Sequence, residues 1–107
     1  MRTQVGIVGA GPAGLFLSLL LQRAGVDCVV LESRSRDYVE SRVRAGVLED
    51  GTVALMDELG ARERLHREGM PDPLLDIRFN GGIIHIDMLT LTPGKIVTVY
   101  GQQEVVK

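Results

Sequence analysis

The chain has a single cysteine, Cys28, in 107 residues. That excludes an internal disulfide framework and a cysteine-rich metal centre. Its setting in the apolar run Cys28-Val29-Val30-Leu31 reads as a small core residue, and the usage suits the cytoplasm. Neither sign of charge dominates. The formal net charge is -2, which argues against a general nucleic-acid or membrane-surface binder. Long hydrophobic runs are also missing. Leu15 to Leu21 falls well short of the ~20 apolar residues that span a bilayer. The N-terminal stretch is interrupted by Gly6, Gly9, Gly11, Pro12 and Gly14, which is poor material for a targeting peptide. There is no internal repeat and no low-complexity segment.

Hydrophobic residues make up 45% of the chain and there are 13 glycines, so the composition is that of a globular protein. The length allows one domain at most, with a modest core. The organising stretch is Val5-Gly6-Ile7-Val8-Gly9-Ala10-Gly11-Pro12-Ala13-Gly14. It reads as a buried strand running into a glycine turn and then a helix. Gly9, Gly11 and Gly14 fit G-x-G-x-x-G. In that pattern the first glycine makes the tight turn and the second lets a pyrophosphate approach the backbone. The third lets the helix lie close on the strand. The anion then meets unpaired N–H groups at the positive end of the helix dipole. A second apolar strand ends in Glu32, about twenty residues on, where a carboxylate bonds a ribose. The bland alternative is a tight βα turn with no ligand.

In order, Thr3 to Val8 reads as a strand, Pro12 to Ala24 as a helix stopped by Gly25, and Val26 to Glu32 as a parallel second strand. This is a βαβ unit. The helix is apolar nearly all round, so both flanks call for cover. Ser33 to Asp37 reads as a polar connection. Arg42 and Arg44 flank Val43 and point the same way if the segment is extended; their alternative is a solvated surface pair. Asp50 to Leu59 reads as a helix with Val53, Leu55, Met56 and Leu59 inward, and Ala61 to Glu68 as a more charged one in which His66 is exposed and inert. Pro71-Asp72-Pro73 reads as a rigid break. A period of two then sets Leu75, Ile77 and Phe79 against Ile84 and Ile86 across a Gly81-Gly82 turn, with Ile96 to Tyr100 as a third antiparallel strand. His85 and Asp87 share a strand face but do not make a metal site. A last helix starts at Gly101.

The expected fold is therefore α/β: the N-terminal part of a Rossmann-like dinucleotide-binding domain, with a βαβ unit over about 3–32 and a helical and β appendage over about 49–100. Two parallel strands alone leave open edges, so the chain reads as part of a larger protein whose remaining sheet and substrate domain lie elsewhere.

These residues carry a resemblance. The glycine motif, Glu32, Tyr38-Val39, Arg42 to Glu49 and Thr98-Val99-Tyr100-Gly101-Gln102 together resemble the N-terminal part of the 4-hydroxybenzoate 3-monooxygenases, a family of FAD-dependent aromatic hydroxylases. The likeness runs the length of the chain, and the segments after Glu32 are its more particular part. It implies that Gly9, Gly11, Pro12, Ala13 and Gly14 hold the FAD pyrophosphate and that Glu32 accepts from the adenosine ribose. It implies that Arg44 reaches the phosphate and ribityl region, with Arg42 supporting cofactor and pyridine-nucleotide binding. Ala45, Gly46 and Val47 would line the isoalloxazine, and Gln102 would bond FAD from the last helix.

The implied reaction is hydroxylation of 4-hydroxybenzoate beside its phenol, using FAD, oxygen and NADPH or NADH. The implied partner is this small aromatic substrate, with no nucleic acid and no membrane; a homodimer stays open for a full-length protein. No catalytic side chain and no metal ligand is identifiable. Two stretches depart from the family pattern. No histidine lies between Met70 and Ile84, where the family has one in its proton relay near the position of Asp72. Ser33-Arg34-Ser35-Arg36 differs from the usual start of the pyridine-nucleotide segment, though Arg34 and Arg36 could still pair with a 2′-phosphate. The chain alone is expected to be inactive. The alternative function is a non-catalytic nucleotide-binding module. An NAD-dependent dehydrogenase domain would not explain Arg42 to Glu49.

Overall fold

A computed structural model describes residues 2–107. In chain order the elements are β1 (Val5–Val8), α1 (Pro12–Arg23), β2 (Cys28–Leu31), α2 (Arg36–Ser41), β3 (Val47–Leu48), α3 (Asp50–Leu59) and α4 (Glu63–Glu68). They continue with β4 (Met70–Asp72), β5 (Leu74–Phe79), β6 (Gly82–Asp87), α5 (Met88–Leu91), β7 (Val97–Val99) and α6 (Gln102–Val105). The chain forms two compact units. One is the segment up to Ala45 together with Gly101–Lys107; the other is Gly46–Tyr100.

The first unit is the βαβ motif that the glycine pattern requires. β1 and β2 pair in parallel, with Val5 opposite Cys28 and Val8 opposite Leu31. The Gly9 N–H extends the ladder by donating to the Leu31 carbonyl at 2.7 Å. Gly9 then turns the chain with φ +109, a conformation that favours glycine. Pro12 opens α1, where its missing N–H costs nothing. Ile7 is buried, and Cys28 is half-buried with its Sγ 3.8 Å from the Ser18 carbonyl. No residue of α1 is buried, and Leu17 remains 44% exposed. A two-stranded sheet is too narrow to cover a helix that is apolar all round.

The connection expected over Ser33 to Asp37 is shorter than the sequence pattern suggested. The Ser35 hydroxyl accepts from the Tyr38 N–H at 3.3 Å and caps α2. A serine before a polar six-residue helix is a local N-cap signal that hydrophobic periodicity does not register.

The second unit holds most of the core: Met56, Leu65 and Tyr100, with Thr98 also buried. α3 spans Asp50–Leu59, and its inward Met56 is 3% exposed. The three-stranded antiparallel sheet has the order β3-β7-β4. This corrects the strand membership: Val97–Val99 pairs with Val47–Leu48 and with Met70–Asp72, while β5 and β6 pair only with each other. Pro71 is thus not a break but a residue of an edge strand, opposite Thr98. A strand with a free side tolerates proline because no ladder bond is required there. The hairpin turn is Asn80-Gly81, with φ +48 and +75, rather than Gly81-Gly82. Two successive residues with positive φ match the twist of the flanking strands. α5 was not expected. Asp87 caps it by accepting from the Leu89 N–H at 3.0 Å. Among the described residues no helix is long and apolar enough to cross a membrane.

Candidate functional site

The first unit contains a cleft of about 290 Å³ lined by Gly11, Pro12, Glu32, Arg34, Tyr38, Val39, Arg42, Arg44, Gln102, Gln103 and Val106. Its floor is the glycine turn. A Cβ built on Gly14 would stand 2.1 Å from the Gly9 carbonyl oxygen and 3.3 Å from Ile7 Cγ2, so no larger residue fits between α1 and β1. A Cβ at Gly11 would meet nothing within 4 Å, which leaves the backbone there open to a ligand. The N-terminal turn of α1 supplies unpaired N–H groups and the positive end of its dipole.

Glu32, exposed at the end of β2, is held by this turn. Its Oε2 accepts from the Ala10 N–H at 2.9 Å, and its Oε1 accepts from the Arg34 N–H at 2.9 Å and from the Ser33 hydroxyl at 3.4 Å. The Ala10 N–H, and after it the Arg34 N–H, hold the Glu32 carboxyl below the usual glutamate value of 4.5. Oε2, with a single protein donor, keeps a lone pair for a ligand hydroxyl. Three guanidinium groups, those of Arg34, Arg42 and Arg44, line the same cleft as this one carboxylate. Arg42 donates from Nη1 to the Tyr38 hydroxyl and lies 5.4 Å from the ring centroid; Arg34 lies 5.3 Å from the same ring. Arg44 has no protein partner among the described residues. Three cations against one anion suit phosphate, which planar guanidinium groups grip in pairs of bonds.

Of the residues singled out in the sequence, Gly11, Pro12, Glu32, Arg42, Arg44 and Gln102 meet in this cleft. Gly9 and Gly14 shape the turn beneath it, and Ala13 lies exposed in the first turn of α1. The Gln102 N–H donates to the Ala45 carbonyl at 2.9 Å, tying the last helix to the arginine segment. Gly46 and Val47 do not line the cleft. They open the second unit, where Gly46 accepts from the Tyr100 N–H at 2.8 Å and Val47 pairs with Val99. Arg36 is engaged by Glu40 at 2.5 Å. Gln103 and Val106 were not singled out; the start of a helix at Gly101 was the available signal, since residues two and five beyond it share its first turns.

The second unit has its own cleft of about 380 Å³, mostly apolar and lined in part by Asp57, Leu65, His66 and Ile96. His66 is exposed, with Nε2 2.6 Å from Asp57 Oδ1. On the hairpin, His85 Nδ1 lies 2.6 Å from Asp76 Oδ1. Asp72 accepts the Leu74 N–H at 2.9 Å and so supports a local turn.

Comparison with known proteins adds to this geometry. A family model described as "FAD binding domain" matches residues 2–107. The chain is 49% identical over 107 residues to p-hydroxybenzoate hydroxylase of Acinetobacter baylyi, covering 100% of this chain and 26% of that protein. It is 43% identical over 68 residues to 6-methylpretetramide 4-monooxygenase of Streptomyces rimosus, covering 64% of this chain and 16% of that protein. Among solved structures, p-nitrophenol 4-monooxygenase of Pseudomonas putida superimposes with a TM-score of 0.79 at 31% identity, over 95% of this chain and 27% of that one. The chain thus spans about a quarter or less of the length of these curated relatives.

Proposed function

This chain belongs to the FAD binding domain family, and on that premise we propose that it is the FAD-holding part of a monooxygenase that converts 4-hydroxybenzoate to 3,4-dihydroxybenzoate. The overall balance consumes one NADPH or NADH, one proton and one oxygen molecule, and releases water with the oxidised nicotinamide. The substrate assignment rests on the relative with 49% identity along the chain. The cofactor assignment rests on one observation: the Glu32 carboxylate is pinned by the Ala10 N–H beside Gly11, in the same cleft as the unpaired Arg44.

The residues present fit FAD. Gly14 leaves no room for a side chain against the Gly9 carbonyl, Gly9 turns the chain at φ +109, and Gly11 leaves an open approach. Gly11 and Pro12 would face the pyrophosphate with the N-terminus of α1. Glu32 would accept from the ribose hydroxyls. Arg44 would grip phosphate or ribityl oxygens, and Arg42, braced by Tyr38, would hold its charge beside them. Gln102 would bond the cofactor from the start of α6. The chemistry that the flavin supplies when bound is electron uptake from the nicotinamide and activation of oxygen; the protein binds and orients it and excludes water. Arg34 lines the cleft and would be available to a nicotinamide nucleotide's 2′-phosphate, whereas Arg36 is taken up by Glu40.

A second reading, a nucleotide-binding module without catalysis, is favoured by the exposure of Glu32, Arg34, Arg42 and Arg44. Hydroxylation needs a dry, closed pocket, and this cleft is open. Titration of the 107-residue chain with FAD, followed by flavin fluorescence, tests the shared part: saturable binding is expected, and its absence contradicts both readings. With FAD, NADPH, oxygen and 4-hydroxybenzoate supplied together, no dihydroxybenzoate is expected. Product coupled to NADPH oxidation would show that this chain holds a complete active site.

A further inference from the structure

Gln103 lines the cleft, and the cofactor assignment leaves its chemistry unused. Its Oε1 is shut off from solvent and has no hydrogen-bond partner, the only such buried side-chain atom among the described residues. The amide is folded over Gly101. A Cβ built on Gly101 would stand 2.5 Å from Nε2 and 2.7 Å from both Cδ and Oε1 of Gln103. The side chain therefore occupies the space that any other residue at position 101 would fill. A buried acceptor without a donor is costly, and native structures rarely keep one without a reason. A glutamine side chain is long enough to leave such a place for a donor.

The neighbours indicate which donor. Gly11, Arg42 and Arg44 offer N–H groups and positive charge, which suit phosphate oxygens. An amide oxygen repels those same oxygens and accepts instead from an N–H or O–H donor; beside its phosphates FAD offers O–H groups. A dinucleotide carries such groups only on its sugar and ribityl portions, next to the phosphates. We propose that Gln103 is a cofactor-positioning residue: it swings off Gly101 and accepts a hydrogen bond from a sugar or ribityl hydroxyl of FAD. This rests on the FAD reading above.

Two substitutions in the 107-residue chain test it, each read by the FAD Kd and by the Tm of the unliganded chain. Gln103→Leu keeps the bulk and removes the unpaired oxygen. It should weaken FAD binding roughly fivefold to tenfold, the scale of one hydrogen bond, while the Tm holds or rises. Gly101→Ala has an ordinary backbone conformation, φ -60 and ψ 137, but evicts the folded amide. It should leave FAD binding as tight as before or tighter. Unchanged affinity in Gln103→Leu, a fall of Tm and affinity together in that variant, or weakened binding in Gly101→Ala would each overturn the proposal. Failure of the unsubstituted chain to bind FAD would instead overturn the reading beneath it.

Discussion

The two units divide the work of the chain unequally. In Gly46–Tyr100 the sequence is spent on packing: Met56, Leu65 and Tyr100 are buried, and Thr98 sits with them. In the unit built from the chain up to Ala45 and Gly101–Lys107, only Ile7 is buried among the described apolar residues, while Glu32, Arg34, Arg42 and Arg44 stand exposed around one cleft. Burial stabilises, and it also removes polar groups from ligands. A unit that keeps a carboxylate and three guanidinium groups available to a dinucleotide gives up that stabilisation. The apolar surface of α1 makes the same point: Leu17 and Leu20 are 44% and 39% exposed.

The contrast can be broken in several places. The largest expected effect is in the packed unit. Leu65 is 2% exposed, so Leu65→Ala should cost about 2–5 kcal/mol of stability by chemical denaturation. Leu17→Ala, from an exposed position, should cost less than about 1 kcal/mol; equal costs would erase the distinction. Next comes Gly14→Ala. Its Cβ would lie 2.1 Å from the Gly9 carbonyl oxygen, an overpacking that costs about 1–3 kcal/mol or more. FAD binding should be lost with it, and normal FAD affinity in this variant would show that the close approach of helix and strand is not what shapes the site.

Glu32→Ala should raise the FAD Kd roughly tenfold to a hundredfold, as for hydrogen bonds to a charged group, while barely moving stability. An unchanged Kd would remove Glu32 from the site. This contribution has a pH signature. The Ala10 and Arg34 N–H groups lower the carboxyl below 4.5 in the folded chain. A depressed value means that the charged form is favoured by folding. The charged form that bonds ligand hydroxyls is therefore complete above the ordinary value and is lost only as the pH falls through the lower, folded one. Affinity in the wild type should persist to more acid pH than an ordinary glutamate would allow, and Glu32→Gln should flatten that limb. The smallest effect is expected for Arg44→Lys, which keeps the charge and loses the planar fork: FAD binding should weaken by roughly threefold to tenfold. A wild-type Kd would return Arg44 to the solvent-facing pair that the sequence alone also allows.

The same division governs what could be read without coordinates. The first unit's strand, turn and helix are encoded locally. Gly9, Gly11 and Gly14 constrain the backbone within six residues, and the pairing of β1 with β2 follows from a single crossover. The sheet of the second unit joins Val47–Leu48, Met70–Asp72 and Val97–Val99, segments far apart in sequence and only two or three residues long. Such strands show no period, so by sequence alone the hairpin that precedes β7 reads as its natural neighbour. Pro71 misled for the same reason, since its tolerance depends on β4 lying at an edge. In the site, Glu32 and the arginines were legible as residue types at particular spacings. The hold of Ala10 on Glu32 and the folded amide of Gln103 were not, because each depends on where a side chain comes to rest.

On the reading proposed above, FAD lies in the first unit's cleft. The direct measurement is the set of backbone amide NMR shifts of the 107-residue chain as FAD is added. The largest changes are expected at Ala10, Gly11, Glu32, Arg34, Arg44 and Gln102, with Asp57, His66 and Ile96 in the second unit's cleft essentially still. Shifts centred on Asp57, His66 and Ile96, or none at all at saturating FAD, would contradict it.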